Sequence, residues 1–148
     1  LYRRWPSLTD LTADALNHGR AIPRVDLTQD LKETMLEMLF ERRDEARGMN
    51  YPQRRFRKRL ELVMADQDLQ RACWKSHVSR RRHGMLEALR AGVDRGELRP
   101  DLDVQAALDA ILGLVYYQFV VRGTDLSDRE TEQRCRRALD MIWRGMES

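Results

Sequence analysis

Apolar residues recur every three or four positions along most of the chain, and no segment shows a convincing alternation with a period of two. This spacing gathers apolar side chains on one face of a helix, whereas a half-buried strand needs strict alternation. Only four Pro and eight Gly interrupt the 148 residues, which favours long helices over a turn-rich β-fold. The pattern predicts an all-α domain of about six helices, large enough to bury a core of its own.

Capping residues and glycines predict the helix ends. Ser7 is expected to cap the first helix, which ends at Gly19. The second is expected from about Thr28 to Arg47, and Pro52 suits the first position of the third. The later predicted helices are residues 66–96 behind the cap Asp66, residues 104–122 behind the cap Asp103, and a last helix that begins with a Ser127–Glu130 capping box.

The inward faces of the third and fourth helices follow from the same spacing. The side chains expected to face inward are Phe56, Leu60, Val63 and Met64, then Trp74, Val78, Met85, Leu86, Leu89 and Val93. Arg82 falls on the fourth-helix stripe between Val78 and Met85, where a buried charge is costly unless it is compensated. It either snorkels or pairs with a carboxylate, or it faces an anion in an internal pocket.

The predicted fifth helix is apolar on two sides. One stripe is Val104, Leu108, Ile111, Val115 and Phe119, and the opposite stripe is Ala106, Ala110, Gly113 and Tyr117. Asp109 near its centre is costly in lipid, so the helix is interpreted as buried in a soluble protein rather than in a membrane. Small residues let a second helix approach closely, which predicts a homodimer in which the last two helices form a four-helix bundle and Trp143 is shared. The alternative is that both stripes fill one large monomer core.

Net charge and cysteine content restrict the possible partners and the compartment of the protein less strongly than the helical pattern restricts its fold. The net charge of +3 permits contact with nucleic acid but does not require it. The basic runs at residues 54–55, 57–59 and 80–83 wrap around their helices, as solvated faces do, and are not expected to read DNA. Cys73 and Cys135 lie far apart, with no signal peptide ahead of them, which predicts reduced thiols in the cytoplasm.

Two motifs resemble those of the tetracycline-repressor (TetR) family of transcriptional regulators. Leu1-Tyr2-Arg3-Arg4-Trp5-Pro6-Ser7 is similar to the end of the recognition helix and the start of the next helix in that family. Residues 95–103 (RGELRPDLD), with the apolar helix through Tyr116-Tyr117, are similar to the turn and dimerisation helix of one class of TetR C-terminal domains. Because helix order and lengths agree between these motifs, the likeness spans the whole chain. It implies that residues 1–6 end a helix-turn-helix and that residues 7–148 form an effector-binding and dimerisation domain.

The resemblance also implies roles for the first residues. Tyr2, Arg3 and Arg4 are expected near the DNA, and Trp5 is expected to pack the DNA-binding head onto the effector domain. Leu8 stands where the family usually has a Lys that approaches phosphate. Leu8 cannot make that backbone contact.

The function implied is a ligand-responsive repressor, not an enzyme, that binds operator DNA as a homodimer and a small-molecule effector in a helical cavity. The candidate pocket residues are Phe56, Trp74, Val78, Arg82 and Tyr116. Cys73 and His77 are spaced to share one helix face, but with no third ligand nearby in sequence no metal or other cofactor is expected. Two alternatives stay open: a small helical-bundle metalloprotein or enzyme, and a helical interaction module without a ligand.

Overall fold

The described part of the chain is helical. A computed structural model describes residues 4–20, 22, 25–26, 28–40, 53–125 and 127–148. Its helices are α1 (Leu8–Asn17), α2 (Leu31–Phe40), α3 (Gln53–Ala65), α4 (Gln67–Cys73), α5 (Ser79–Asp94), α6 (Val104–Tyr116) and α7 (Arg129–Arg144), with π-helical turns at Trp74–Val78 and Tyr117–Val121. Among these residues the extended pairing is limited to one antiparallel bridge between Leu98 and Glu147. The predicted all-α fold is confirmed.

The chain divides into two compact units. Unit 1 consists of Leu1–Pro23 and Arg43–His83, and unit 2 consists of Arg24–Arg42 and Gly84–Ser148. Of residues 1–6, predicted to end a recognition helix, residues 4–6 are described and belong to unit 1. The predicted C-terminal half of the second helix, residues 41–47, and the predicted first position of the third, Pro52, lie outside the described residues.

In unit 1, α1 packs against α4 and the π-turn that follows it, and α3 packs against α4. Helices α1 and α4 begin where the sequence predicts, because Ser7 Oγ accepts a hydrogen bond from the Asp10 amide at 3.0 Å and Asp66 Oδ1 accepts one from the Leu69 amide at 3.0 Å. Gly19, at φ +81°, follows the end of α1 in a conformation that L side chains rarely adopt. The buried apolar side chains of this unit are Ala13, Val63, Leu69 and Cys73.

Unit 2 has the larger apolar core, to which α2, α5, α6 and α7 all contribute. Leu89, Leu108, Ile111 and Leu139 are fully buried there. The inward stripe predicted for α6 is confirmed in its middle, since Leu108 and Ile111 have no exposed surface. Trp143 also lies in this core and is 6% exposed.

The predicted start of the second helix at Thr28 is wrong, because α2 begins at Leu31. Asp30 Oδ1 accepts a hydrogen bond from the Glu33 amide at 2.9 Å and so occupies the capping position. The Thr28 amide and hydroxyl instead donate to Asp26 Oδ1, which holds a turn ahead of the helix.

The predicted capping box of Ser127 and Glu130 is also wrong. Asp128, one residue later, caps α7, and its Oδ2 accepts hydrogen bonds from the Thr131 amide and hydroxyl at 3.0 Å. The Ser127 hydroxyl donates to Asp125 instead. A carboxylate is a stronger acceptor than a hydroxyl, and its negative charge is favoured at a helix N-terminus.

The π-turn between α4 and α5 was not predicted and changes which residues face inward. A π-turn contains one extra residue, which rotates the following helix by about 100° relative to an uninterrupted α-helix. Met85, Leu86 and Leu89 are buried, but Trp74, expected on the same stripe, is 51% exposed.

Met64 on α3, also expected inward, is 69% exposed.

Candidate functional site

A cluster of buried polar side chains lies in unit 1. Asn17 at the end of α1, Arg59 on α3 and His77 on the π-turn are 7%, 3% and 6% exposed. Arg59 Nε donates to Asn17 Oδ1 at 3.0 Å, and Arg20 Nη1 donates to the same oxygen at 3.4 Å. Asn17 Nδ2 in turn donates to the Ala13 carbonyl at 2.8 Å. The amide of Asn17 is thus bonded at both ends and orients the buried guanidinium.

Arg59 is buried among neutral partners. It interacts with the Asn17 amide and with the thiol of Cys73, whose pKa is raised by burial. No carboxylate of the described residues pairs with Arg59. Removing an unpaired charge from water costs several kcal/mol, so a buried guanidinium whose hydrogen-bond partners are all neutral is an unusual arrangement.

His77 is uncharged at neutral pH. Burial, and after it the positive charges of nearby arginines, together lower the pKa of His77 to about 4. These arginines are Arg20, Arg81, Arg59 and Arg80. The positive field around this imidazole comes from the segment after α1, from α3 and from α5.

Two buried polar atoms on the π-turn have no hydrogen-bond partner among the described residues. They are His77 Nε2 and Ser76 Oγ. Buried polar atoms in folded proteins are almost always bonded, so each such atom needs an explanation, and π-turns are frequent at functional sites. The cluster therefore combines a positive field with unused hydrogen-bonding capacity.

Three of the predicted pocket residues contribute to cation–aromatic pairs in unit 1. The Arg20 guanidinium carbon lies 5.4 Å from the centre of the half-buried Phe56 ring. The Arg82 guanidinium carbon lies 5.3 Å from the Trp74 ring centre, and Arg82 is 8% exposed. Stacking on an aromatic face explains how a guanidinium is accommodated on this part of the helix.

The other two predicted pocket residues differ in setting. Val78 is half-buried at the end of the π-turn in unit 1, whereas Tyr116 belongs to unit 2 and is 40% exposed. Two surface depressions of unit 2, of about 420 and 280 Å³, include none of the predicted pocket residues. The predicted pocket stays a prediction.

Sequence reasoning missed Arg59 and Asn17 and gave His77 only as half of a metal pair. The basic run 57–59 was expected to be solvated, but Arg59 is buried. Arg59 lies three residues after Phe56 and four before Val63, on the apolar stripe of α3. Assigning each member of the run to a helix face would have identified it. Among the described residues, no group of three His, Cys, Asp or Glu is placed to hold a metal ion.

The DNA-proximal residues are described only in part, because residues 1–3 lie outside the described chain. Arg4 is exposed, with its guanidinium carbon 5.0 Å from the Trp5 ring centre. Trp5 is half-buried, and its Nε1 donates to Asp14 Oδ2 on α1 at 3.0 Å. Leu8 is 77% exposed, so this position points to solvent, where a Lys would also be accommodated.

The small-residue stripe of α6 in unit 2 is exposed along its length. Ala106, Ala110, Gly113 and Tyr117 are all exposed, and a Cβ added at Gly113 would meet no atom within 4 Å. Val120 and Val121, 44% and 66% exposed, extend the apolar surface through the second π-turn. We call the surface of these six residues the α6 face. Trp143, predicted to be shared with a partner, is instead packed within its own core, which leaves it little surface to share.

The segment Val104–Val121 is long and apolar enough to cross a membrane by length and composition alone, and 28% of it is buried. The fifth helix was expected to be buried, but within this chain only its core-facing stripe is buried. One such helix is weak grounds for a membrane span.

Comparison with known proteins identifies the class of this chain. The sequence model of the family described as "Tetracyclin repressor-like, C-terminal domain" matches residues 24–140, well over half of the chain. The chain therefore belongs to this family of transcriptional regulators, whose members are transcription factors and not enzymes, in agreement with the prediction.

One curated relative was also found. Over 45 residues the chain is 36% identical to the uncharacterised HTH-type transcriptional regulator YdeS of Bacillus subtilis (strain 168), a match that covers 30% of this chain and 21% of that protein. The match thus spans about one fifth of the relative's length. No solved structure matches the chain.

Proposed function

We propose that this chain is the effector-binding and dimerisation part of a ligand-responsive transcriptional repressor of the cytoplasm. The observation that carries the proposal is the α6 face. An apolar helix face that small residues keep flat, and that its own chain leaves exposed, is typical of a helix that packs against a second copy. Membership of a family of transcriptional regulators supports this assignment.

The proposed dimer is isologous, with α6 and α7 of the two protomers forming a four-helix bundle. The open space above Gly113 lets the two helix axes approach closely, because no side chain of the same protomer occupies it. Tyr117, 52% exposed, supplies a large side chain beside the small ones. An obligate interface of this kind buries on the order of 2,000 Å² or more in total.

DNA binding is assigned to a helix-turn-helix of which residues 1–6 form the end. In a two-fold dimer the two recognition helices are expected to enter successive major grooves about 34–36 Å apart. An effector changes this spacing only through its differential affinity for two states of the protein, typically about 1–3 kcal/mol. For the effector we retain Phe56, Trp74, Val78 and Arg82 of unit 1 as candidate contacts.

Replacement of Ala110 by Arg tests the dimer. The substitution inserts a long charged side chain into a close helix crossing and places it near its own symmetry mate, at a cost of several kcal/mol. Light scattering after gel filtration at micromolar concentration should show a dimeric wild type and a monomeric Ala110→Arg variant. Gln70→Arg introduces the same charge at an exposed position of α4 and should stay dimeric. A monomeric wild type, or an Ala110→Arg variant that dimerises as well as wild type, would show that the α6 face has another role.

A further inference from the structure

We infer that the buried cluster of Asn17, Arg59 and His77 in unit 1 binds the carboxylate of a small organic anion. The inference rests on the proposed function in one respect, namely that this anion is the effector. The binding site itself is a statement about unit 1 and is tested separately.

The first argument is the charge of Arg59. Arg59 as a whole is 3% exposed, and its guanidinium has only neutral hydrogen-bond partners among the described residues. Water is largely excluded, so the charge is strongly stabilised by any anion that enters, because Coulomb interactions are several-fold stronger in such a site than in bulk water. Guanidinium and carboxylate also match in geometry, which favours a planar carboxylate.

The second argument is the unused atom of His77. Its Nε2 is buried without a partner, on the same π-turn as the unpartnered Ser76 Oγ. A ligand carboxylate would satisfy His77 Nε2 by accepting its proton in a hydrogen bond. Binding an anion here also favours the protonated imidazole, so binding should be accompanied by proton uptake.

The third argument concerns what surrounds the cluster. The charges that act on His77 come from Arg20, Arg59, Arg80 and Arg81, and all are positive. Cys73, which contacts the cluster, belongs to the apolar group of unit 1 that includes Val63 and Leu69. A positive site beside apolar side chains suits an anion with an apolar tail rather than a highly charged phosphate.

The test compares butyrate with butyramide, which has nearly the same shape but no charge. The His77 imidazole signals are followed by NMR in the full-length protein, with His18 and His83 as internal references and His77→Gln for assignment. Butyrate should shift the His77 signals and raise the pKa of His77 by one unit or more. The affinity for the ionised form of butyrate, after correction for the butyric acid that forms as the pH approaches 5, should increase as the pH falls from 7 to 5. Butyramide should do neither. Equal responses to the two compounds, or no response to butyrate at tens of millimolar, would overturn the inference.

Variants separate the site from a general charge effect. Arg59→Met should weaken butyrate binding at least tenfold, Arg59→Lys should retain most of it, and Arg57→Met, at an exposed position on the same helix, should leave it within twofold. If Arg59→Met does not fold, His77→Gln provides the second test, because it should remove the pH dependence of binding. Unchanged butyrate binding in the folded variants would refute the site.

The proposed function fails by a different result. If the protein is a dimer that binds operator DNA but not butyrate, the anion site is refuted and the proposed repressor function is still supported. Butyrate binding that depends on Arg59, in a protein that stays monomeric, refutes the dimer and leaves the site.

Discussion

Acid should destabilise the folded protein through His77. The pKa of His77 is about 4 in the folded state and 6.5 for an ordinary histidine, the value expected in the unfolded chain. Between these values the unfolded state binds more protons than the folded state, so the free energy of unfolding decreases as the pH falls. This contribution to stability is fully present above about pH 6.5 and is lost by about pH 4.

The size of the effect follows from the shift. One pKa unit corresponds to about 1.4 kcal/mol, so the whole shift amounts to roughly 3 kcal/mol. At about pH 5 the histidine is mostly protonated when unfolded and mostly neutral when folded, and the loss relative to about pH 7.5 is about 2 kcal/mol. The arginines that face His77, which are Arg20, Arg59, Arg80 and Arg81, stay charged throughout this range.

Urea unfolding at a fixed protein concentration measures this loss, in buffers free of carboxylates. His77→Gln should lack about 2 kcal/mol of the wild-type loss between about pH 7.5 and 5. His83→Gln, an exposed control, should behave as wild type because it leaves His77 in place. Carboxylates with a lowered pKa, such as that of Asp140 beside Lys32, contribute almost nothing to this loss, because their stabilisation is fully present above the ordinary pKa of 3.8. The same loss in wild type and His77→Gln would refute the burial argument.

Two further substitutions test the packing of unit 2. In Gly92→Ala the new Cβ would overlap Leu31 Cδ2 and lie 3.0 Å from Leu98 Cδ1; the strain should exceed the gain in helix propensity and lower the free energy of unfolding by roughly 1 kcal/mol. A stabilised variant in a urea titration would show that Leu31 can move aside. Asp128→Ala removes the acceptor for the Thr131 amide and should cost about 1 kcal/mol, whereas Asp128→Asn should cost less. Equal melting temperatures for wild type, Asp128→Ala and Asp128→Asn would exclude Asp128 as the cap.

Much of the fold could be predicted because its signals are local. Ser7, Asp66 and Asp103 each begin a helix as predicted, since a cap depends on a side chain and the next two or three amides. The core-facing stripe of α6 was also predicted correctly, because Leu108 and Ile111 follow the helical period without interruption. Where two acceptors lie next to each other, as at Ser127 and Asp128, the local rule does not decide between them.

The candidate site could not be predicted in the same way. The π-turn inserts one residue without any mark in composition, and every position after it is rotated relative to the simple helical period. Trp74, the first residue of the turn, was therefore expected on the same inward face as Met85, which follows the turn. The hydrogen bond from Arg59 to Asn17 joins residues 42 positions apart, which no periodicity in either helix reveals.

The residues that depart from the helical pattern carry most of the functional argument. A helix gains stability from an apolar inward face and a polar outward face, and a sequence that violates either rule loses stability unless something compensates for it. Arg59 places a charge on an inward face, and the α6 face places apolar and small residues outward. These violations are of opposite kinds, so the compensation that we propose for each differs: an anion for the buried guanidinium and a second protein surface for α6. A regulator that senses a small molecule and acts as a dimer needs both, which is why the two departures together favour that function over a helical module that lacks a ligand.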